Sequence, residues 1–470
     1  MTRFYVFLWS ACLGVFFTAC EKESNEEKKS KAERLHVNEF IAEVMDYYYL
    51  WNDRVPHIRP NAATDPRDYL NSLLYKDDHW SYLTDDKERF LEEEITRTGE
   101  SSGYDLSFGR FGDRTIFAIV NYVYPGSPAA AAGIKRGDFI LQLNKAALTD
   151  ETYMELYNAG THLLTLGKYE GGGQISATVT VTVTSVKMDQ NPVLINKVVT
   201  EGTHKIGYLM YTGFVSNFKQ QLIDALTGFK EEQITDLVLD LRYNPGGEID
   251  VATLLCSAIV PPAQMKRENI LIKHQWNAQR QAEYENAERE NPEEYKGYLS
   301  TCFEEVSYNL GLSRVYVLTS RSSASASELL VVGLEAYMDV IQIGDTTHGK
   351  YTAMVLISPT DKTIEKWMLL PVVYKFMNAK GKTDFKDGLS PLYLLPESLP
   401  FSPLGDLDEP LLAKAIALIT GQETEAAKPF SEEVTWLTPP PRRVLEGYLL
   451  YRWPDGKSGS LLPFKQQNVK

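Results

Sequence analysis

The sequence has few cysteines and no excess of positive charge. Its 470 residues carry 48 Lys and Arg against 63 Asp and Glu, a formal net charge of −15 at pH 7. Such a chain has no broad face that could neutralise phosphates, which argues against nucleic acid and favours peptides or small molecules as partners. The four cysteines form no CxxC pair and no Cys/His cluster. We therefore expect no metal site and no cofactor.

The composition is that of an ordinary globular protein, 43% hydrophobic and 24% charged, and the chain is long enough for two or three domains. An apolar run over residues 4–19 ends in small residues directly before Cys20. It predicts a signal peptide, residues 1–19, because it is too short to span a membrane. Cys20 resembles the lipidated cysteine of a bacterial lipobox; an ordinary signal peptide cut nearby is the alternative.

The segment after Cys20 is highly charged and lacks aromatic residues, which predicts a solvated tether over residues 20–35. Its acidic start also resembles the surface-export signals of Bacteroidetes lipoproteins. These features predict an outer-membrane lipoprotein of the cell envelope, facing the periplasm or the surface, with its membrane contact through the lipid anchor.

Two cysteines, Cys256 and Cys302, remain once Cys12 leaves with the signal peptide and Cys20 carries lipid. Both have apolar neighbours in the sequence, so we expect two buried free thiols. A disulfide between them is the alternative in an oxidising compartment.

Residues 36–87 are predicted to be an N-terminal helical region. Apolar residues recur at helical spacing between positions 37 and 48, which indicates an amphipathic helix packed on a core. The segment DDHWSY, residues 77–82, contains possible metal ligands, but their spacing matches no standard set. We interpret it as a loop around a buried Trp80.

Residues 88–187 are predicted to form a second domain. Runs at 116–120 and 139–143 indicate strands, and a turn and a short helix separate them. The stretch VYPGSPAAAAGIKRGDFILQLN resembles a PDZ domain. The resemblance implies a loop that holds a peptide carboxylate, formed here by Gly103, Tyr104, Asp105 and Leu106, while the peptide adds to the sheet edge. A PDZ fold with only a structural role is the alternative.

Strands and helices alternate through residues 195–422. The apolar run at 237–241 is typical of a strand covered on both faces, and it leads directly into the glycine turn RYNPGG. Residues 277–298 are polar enough to predict an exposed helical insertion. Residues 423–470 are rich in proline and are predicted to be a peripheral tail.

The stretch SRSSASASELL, residues 320–330, lies between a predicted strand and a predicted helix. A serine at such a junction is well placed for nucleophilic attack, because backbone N–H groups at a helix start can stabilise an oxyanion. Serine is also a common helix cap, so the stretch alone leaves both readings open. A further strand at 340–345 is followed by TTHGK.

The order strand, SASASE, helix, strand, GD and GK resembles the S41 peptidases, the family of the carboxyl-terminal processing proteases. LVLDLRYNPGG matches that family's DLR.N.GG turn, and a PDZ domain precedes it as in the family. The resemblance covers roughly residues 37–420. It implies an α/β fold: a crotonase- or ClpP-like spiral of ββα units, with a small β-barrel-like PDZ domain and an N-terminal helical region.

The resemblance also implies the site. The nucleophile is the middle serine of SASAS, here Ser325, and the general base is the lysine of GK, here Lys350. The oxyanion would lie between the N–H of Ala326 and an N–H of Gly246 or Gly247. A lysine acts as a base near neutral pH only if burial lowers its pKa. It then takes the serine proton and later passes it to the leaving amine.

Three residues near this motif, Met354, His348 and Glu328, bear on the proposed chemistry. The family commonly has a glutamine four residues after the lysine to orient it, whereas this chain has Met354. His348 would share a face with Lys350 if this segment were a strand, and a Ser325–His348 pair is an alternative to a polar loop residue. Glu328 is interpreted as a helix-start charge rather than a catalytic acid.

The sequence therefore predicts a serine endopeptidase with a Ser-Lys dyad. It would cut proteins near their C-termini or degrade loosely folded envelope proteins. The alternative is a peptide-binding lipoprotein that retains the fold while catalysis is weak or lost.

Overall fold

The computed structural model describes residues 25–112, 115–422 and 434–437, and the backbone of residues 449–450. The predicted signal peptide and Cys20 lie outside these residues. The helices are α1 (Asn25–Tyr47), α2 (Pro66–Leu73), α3 (Lys87–Phe90), α4 (Pro128–Ala131), α5 (Lys219–Glu231), α6 (Ile249–Ile259), α7 (Ala278–Glu290), α8 (Pro292–Leu299), α9 (Ala326–Leu334) and α10 (Pro410–Thr420).

The strands are β1 (Tyr82–Thr84), β2 (Glu100–Ser101), β3 (Tyr104–Phe111), β4 (Phe117–Val123), β5 (Phe139–Leu143), β6 (Ala146–Ala147), β7 (Thr161–Gly171), β8 (Gln174–Thr184), β9 (Val186–Lys187), β10 (Val193–Glu201), β11 (His204–Tyr211), β12 (Asp236–Asp240), β13 (Gly247–Glu248), β14 (Ile270–Trp276), β15 (Ser300–Cys302), β16 (Arg314–Thr319), β17 (Asp339–Gly344), β18 (Thr352–Met354), β19 (Met368–Leu370), β20 (Val372–Asn378), β21 (Tyr393–Leu394), β22 (Val434–Trp436) and β23 (Leu449–Leu450).

The first helix begins earlier than its apolar pattern predicts. Residues 25–35, expected to belong to a tether, form the first turns of α1 with mostly exposed side chains. From Val37 onward one face is buried, as the helical spacing predicts, with Ile41 and Val44 fully enclosed. β1 then pairs antiparallel with β19 in a separate two-stranded sheet, which joins this region to the peptidase part of the chain.

The second domain is an antiparallel sheet in the order β22-β3-β4-β5-β7-β8. α4 begins after Ser127, whose hydroxyl accepts a hydrogen bond from the N–H of Ala130 at 3.2 Å. Apolar side chains of β3, β4, β5 and β7 fill a core of their own. This arrangement agrees with the predicted PDZ domain.

The central sheet of the remaining chain has the order β10-β11-β12-β16-β17-β21, and β11, β12, β16 and β17 run parallel. β12 is buried along its whole length, as expected for a strand covered on both faces. Neighbouring parallel strands end at the same edge of a sheet, so the loops after β12, β16 and β17 meet there. These three loops carry the predicted catalytic residues.

A second sheet has the order β13-β23-β18-β20-β14-β15. Its third member, β18, follows the loop that contains Lys350. The tail, predicted to be peripheral, contributes β22 to the PDZ sheet and β23 to this one, which corrects that prediction. The proline-rich sequence of the tail did not predict these two short strands. Their formation depends on unpaired backbone groups at the edge of the sheet that each strand joins. The rest of residues 423–470 lies outside the described residues.

The polar insertion at 277–298 is helical, as predicted, and forms α7 and most of α8. Cys256 is buried, as expected, whereas Cys302 is only partly buried, and no disulfide joins the two. Burial raises the pKa of the Cys256 thiol. No helix in the described part of the chain is both long and apolar enough to cross a membrane.

A buried network of charges joins the PDZ domain to the peptidase sheet. Arg242 forms ion pairs with Asp240 at 2.8 Å, Glu409 at 2.8 Å and Glu397 at 2.9 Å. Arg136, on the PDZ domain, pairs with Glu397 at 2.6 Å and donates to the Tyr243 hydroxyl at 2.8 Å. Arg242 and Tyr243 lead directly into the glycine turn, so this network fixes the base of that turn against both domains.

Candidate active site

Ser325 lies at the junction between the loop after β16 and helix α9. Its φ of +59° and ψ of −107° are unusual for a residue other than glycine and indicate a strained elbow. The side chain is fully buried, and its hydroxyl has no hydrogen-bond partner among the described residues. A buried hydroxyl without a partner in a strained turn is a typical feature of a functional group.

The neighbouring serines have structural roles instead. Ser323 Oγ donates to the carbonyl of Leu241 at 2.8 Å, and Ser327 Oγ donates to that of Asn244 at 2.9 Å. Ser320 Oγ bonds to the carbonyl of Arg242. Three of the five serines thus attach the elbow to the loop after β12 through their hydroxyl groups, whereas the Ser325 hydroxyl makes no such bond.

The glycine turn approaches the elbow closely. Gly246 has a φ of +109°, and a Cβ there would lie 2.9 Å from the Ser325 Cβ and 3.1 Å from the Ala326 N. Only glycine permits this contact. The N–H of Gly246 donates to the Asn244 side chain at 2.9 Å, which leaves Gly247 as the better oxyanion donor of the two. Ala326 is the first residue of α9, where N–H groups have no partner within the helix.

Lys350 lies in the loop after β17 and is fully buried. Its amine has no hydrogen-bond partner among the described residues and sits 5.7 Å from the centre of the Trp80 ring. Burial lowers the pKa of Lys350 to about 7, against the opposing effect of the Asp78 and Glu328 carboxylates. A substantial fraction of this amine is therefore neutral near pH 7 and able to accept a proton.

Glu328 connects the serine loop to the lysine loop. One oxygen of its buried carboxylate accepts the backbone N–H of Ser325 at 2.7 Å and that of Lys350 at 2.9 Å. The other oxygen accepts the Gly349 N–H and the Thr347 hydroxyl, both at 2.6 Å. Burial raises the pKa of Glu328 to about 7, although these four donors favour its charged form. Glu328 stands at the helix start, as predicted, and also brings the two predicted catalytic residues side by side.

The loop at 77–82 closes over the lysine. Asp78 is buried and accepts hydrogen bonds from the Tyr49 hydroxyl at 2.8 Å and the Ser81 hydroxyl at 2.6 Å. Trp80 is only partly buried, so the buried centre of this loop is Asp78 and not the tryptophan that we expected. Among the described residues no cluster of His, Cys, Asp and Glu could hold a metal ion.

The segment from Asp345 to Lys350 is a loop, so the strand geometry that would have aligned His348 with Lys350 is absent there. The Ser325 hydroxyl forms no bond to His348. Burial lowers the pKa of His348, and the charge of Lys350 lowers it further. Met354 is a fully buried residue of β18, so an apolar side chain stands where the resemblance implied a glutamine that orients the lysine.

Of the predicted peptide-binding loop of the PDZ domain only Gly103 lies outside a strand; Tyr104, Asp105 and Leu106 are the first residues of β3, which corrects the prediction of a loop there. Gly103 has a φ of +82° and packs against Ser127, while Tyr104 and Leu106 are buried. The N–H of Leu106 donates to the Tyr157 hydroxyl at 2.9 Å, and that hydroxyl donates to the Leu106 carbonyl at 3.1 Å. Asp105 accepts from the Asn121 side chain at 2.8 Å. Tyr157 therefore covers the strand edge next to this loop.

Sequence reasoning missed Asn244, Asp78 and the linking role of Glu328. Asn244 accepts the N–H of Ala324 at 3.1 Å through its carbonyl and orients Gly246 through its side chain. Its position in YNPGG was the available signal, since Asn before such a turn commonly bonds to the backbone two residues on. No local signal could have placed Asp78 beside Lys350.

Comparison with known proteins agrees with this geometry. Residues 205–393 match the model of peptidase family S41, residues 36–82 the N-terminal domain of S41 peptidases, and residues 119–157 a PDZ domain. The carboxyl-terminal-processing protease of Picosynechococcus is 26% identical over 378 residues, covering 78% of this chain and 81% of the relative. The carboxy-terminal processing protease CtpA of Bacillus subtilis is 26% identical over 321 residues, covering 67% of this chain and 60% of the relative.

Among solved structures, a Bacteroides fragilis protein described as an S41 protease superposes with a TM-score of 0.65 at 27% identity, covering 81% of this chain and 97% of that protein. A serine at a strand-to-helix elbow, a glycine turn against it and the matched domains define a serine-type protease with an attached PDZ domain. The chain belongs to peptidase family S41, the family of the carboxyl-terminal processing proteases.

Proposed function

We propose that this chain is a serine endopeptidase that uses Ser325 as nucleophile and Lys350 as general base. The observation that carries the proposal is the shared carboxylate of Glu328, which accepts a backbone N–H from each residue, while the serine hydroxyl and the lysine amine have no hydrogen-bond partner in the described part of the chain. Both side chains are buried, and the lysine has a pKa of about 7.

In this proposal the Ser325 Oγ forms a bond to the substrate carbonyl carbon as its proton passes to the Lys350 amine. The N–H groups of Ala326 and Gly247 stabilise the resulting oxyanion. The lysine then protonates the leaving nitrogen, the C–N bond breaks, and an acyl-enzyme remains. Water, deprotonated by the same lysine, then attacks the acyl carbon; the ester bond to Ser325 breaks, the product acid leaves, and the lysine returns the proton to the Ser325 Oγ.

We propose segments near protein C-termini, or loosely folded envelope proteins, as substrates. The names of the two bacterial relatives and the matched PDZ domain support this class. We further propose that Cys20 is lipidated and anchors the protein to the outer membrane. Replacing Cys20 with serine should then move the protein from the membrane fraction to the soluble fraction of the envelope, and an unchanged distribution would contradict the anchor.

A fluorogenic peptide with an extended, apolar C-terminal segment tests the dyad. We expect Ser325→Ala and Lys350→Met each to lower kcat by at least 10³-fold with an unchanged circular dichroism spectrum. His348→Ala is the matched control on the same loop and should retain activity. Full activity in Ser325→Ala would exclude this assignment, and full loss in His348→Ala would favour the histidine as base.

The second candidate is a peptide-binding protein with weak or lost catalysis. It is favoured by two observations: the Ser325 hydroxyl and the Lys350 amine are not bonded to each other, and Met354 offers no polar group to orient the lysine. Folded protein that binds the labelled peptide tightly without cleaving it, over pH 6 to 10, would support this candidate and exclude the enzyme.

A further inference from the structure

A piece of the chain's own tail lies between the two halves of the catalytic site. β23 pairs parallel with β13, with Leu449 opposite Gly247, and parallel with β18, with Leu450 opposite Met354. β13 contains the proposed oxyanion glycine, and β18 follows directly after the loop of Lys350. The tail strand is therefore flanked on one side by the glycine turn and on the other by the segment of the base.

This position has the shape that an extended peptide substrate needs. Removing β23 from the sheet order leaves β13 and β18 separated by one strand position, about 10 Å, with backbone groups exposed on both edges. An extended peptide can bond to both edges, as in other cases of strand addition. A peptide in this slot would run past Gly247, where the carbonyl under attack must lie.

A second piece of the tail pairs with the outer edge of β3, beyond the part that Tyr157 covers. β22 pairs antiparallel with β3, with Val434 opposite Phe111 and Trp436 opposite Gly109. The N–H of Leu437 donates to the carbonyl of Phe108 at 2.9 Å. β3 is the strand that follows the predicted carboxylate loop, so this is the edge on which a PDZ ligand would be added.

We propose that the two described segments of the tail act as an internal ligand of this protease, in which β22 docks on the PDZ edge and β23 fills the substrate slot in competition with substrate. The proposal rests on the proposed function, because it takes the slot beside Gly247 and Lys350 to be the substrate site. Docking at the PDZ edge keeps the inhibitory strand near the slot. A tethered ligand has an effective concentration of about 1 mM, so even an intrinsic Kd of about 0.1 mM would raise the apparent KM about tenfold.

Truncation gives the first test. A chain that ends at Thr438 keeps β22 and lacks β23, and we expect it to cleave the fluorogenic peptide with a KM about tenfold lower and an unchanged kcat. The full chain with Leu449→Pro and Leu450→Pro, which removes two backbone donors from the strand, should behave in the same way. The full chain with Lys457→Pro and Ser458→Pro is the matched control and should keep the KM of the parent. An equal KM in the parent and both β23 variants would overturn the proposal.

Binding gives a test that does not depend on catalysis. A fluorescein-labelled peptide of residues 444–454 is added to Ser325→Ala protein, and its polarisation is measured. We expect it to bind the chain that ends at Thr438 at least tenfold more tightly than the full chain, and the substrate peptide to displace it. No binding to the truncated chain would overturn the inference. The labelled peptide could bind while the chain that ends at Thr438, with Ser325 intact, cleaves no substrate. That result would support the internal ligand and reject the proposed catalysis.

Intact mass spectrometry separates an inhibitor from a substrate. The parent and Ser325→Ala proteins should keep the same mass over the time of the assay, because the tail strand is held without being cut. Rapid cleavage within residues 444–454 in the parent, absent from Ser325→Ala, would overturn the inhibitory role.

Discussion

Lys350 is expected to set the pH dependence of peptide cleavage. Burial lowers its pKa from the ordinary lysine value to about 7, and only the neutral amine can accept the Ser325 proton. Below this pKa the amine is protonated, so kcat/KM should fall about tenfold per pH unit; above it the rate should reach a plateau. Initial rates between pH 5 and 9.5, with folding checked by circular dichroism at each pH, measure this. A rate still rising tenfold per unit above pH 9 would show that the lysine is not held neutral.

Glu328 is expected to act as a positioning residue for both members of the dyad. Alanine would remove the acceptor of four donors and leave them unsatisfied in a buried site. Glutamine keeps the shape, but its amide group would face donors in place of one carboxylate oxygen. We expect kcat to fall at least 100-fold in Glu328→Ala and about tenfold in Glu328→Gln, with KM changed less than threefold.

The pH profile distinguishes positioning from a merely structural role. If Glu328 holds the Lys350 loop, the midpoint of the profile should move in Glu328→Gln, because the lysine loses a nearby negative charge that raises its pKa. The shift should be toward lower pH. A variant that loses stability with an unmoved midpoint and unchanged kcat would contradict this role.

At the scale of elements, we expect activity to depend most strongly on the contact between the glycine turn and the loop that carries Ser325. Gly246→Ala would place a Cβ against Ser325 at a backbone φ that other residues rarely adopt. The turn should move away from the elbow, with kcat at least 100-fold lower. The matched control is Gly228→Ala, within α5, where a Cβ meets no atom and helix propensity should add up to about 1 kcal/mol of stability. Equal activity in both variants would mean that the turn does not shape the site.

The elements at this edge could be predicted from the sequence because their signals are local. The buried run of β12 followed by glycines, and the serine stretch between a strand and a helix, each depend on a few adjacent residues. The contacts of Glu328 with Lys350, and of the 77–82 loop with the same lysine, join residues far apart in the chain and have no local pattern. The strands of the tail were missed for a related reason, since a two-residue strand depends on the edge that receives it.

At the scale of the whole molecule, buried charges connect the PDZ domain to the catalytic turn. Arg136 reaches from the PDZ domain to Glu397, which also pairs with Arg242. The Tyr243 hydroxyl donates to the same carboxylate at 2.6 Å. A displacement of the PDZ domain would leave some of these charges buried and unpaired, which is costly. The two domains and the glycine turn are therefore expected to move together.

Glu397 should make the free energy of unfolding decrease at acid pH. Burial alone would raise its pKa, but Arg242 and Arg136 outweigh that effect and hold the pKa at about 2, below the ordinary value of 4.5. Because the folded pKa is the lower one, the stabilising contribution is complete above pH 4.5 and is lost as the pH falls toward 2. A shift of this size corresponds to about 3 kcal/mol. Urea unfolding at pH 7, 4.5 and 3 should show this loss in the parent and a weaker pH dependence in Glu397→Gln, which should be the less stable protein at pH 7. Parallel pH dependence in the two proteins would mean that Glu397 is not the carboxylate responsible.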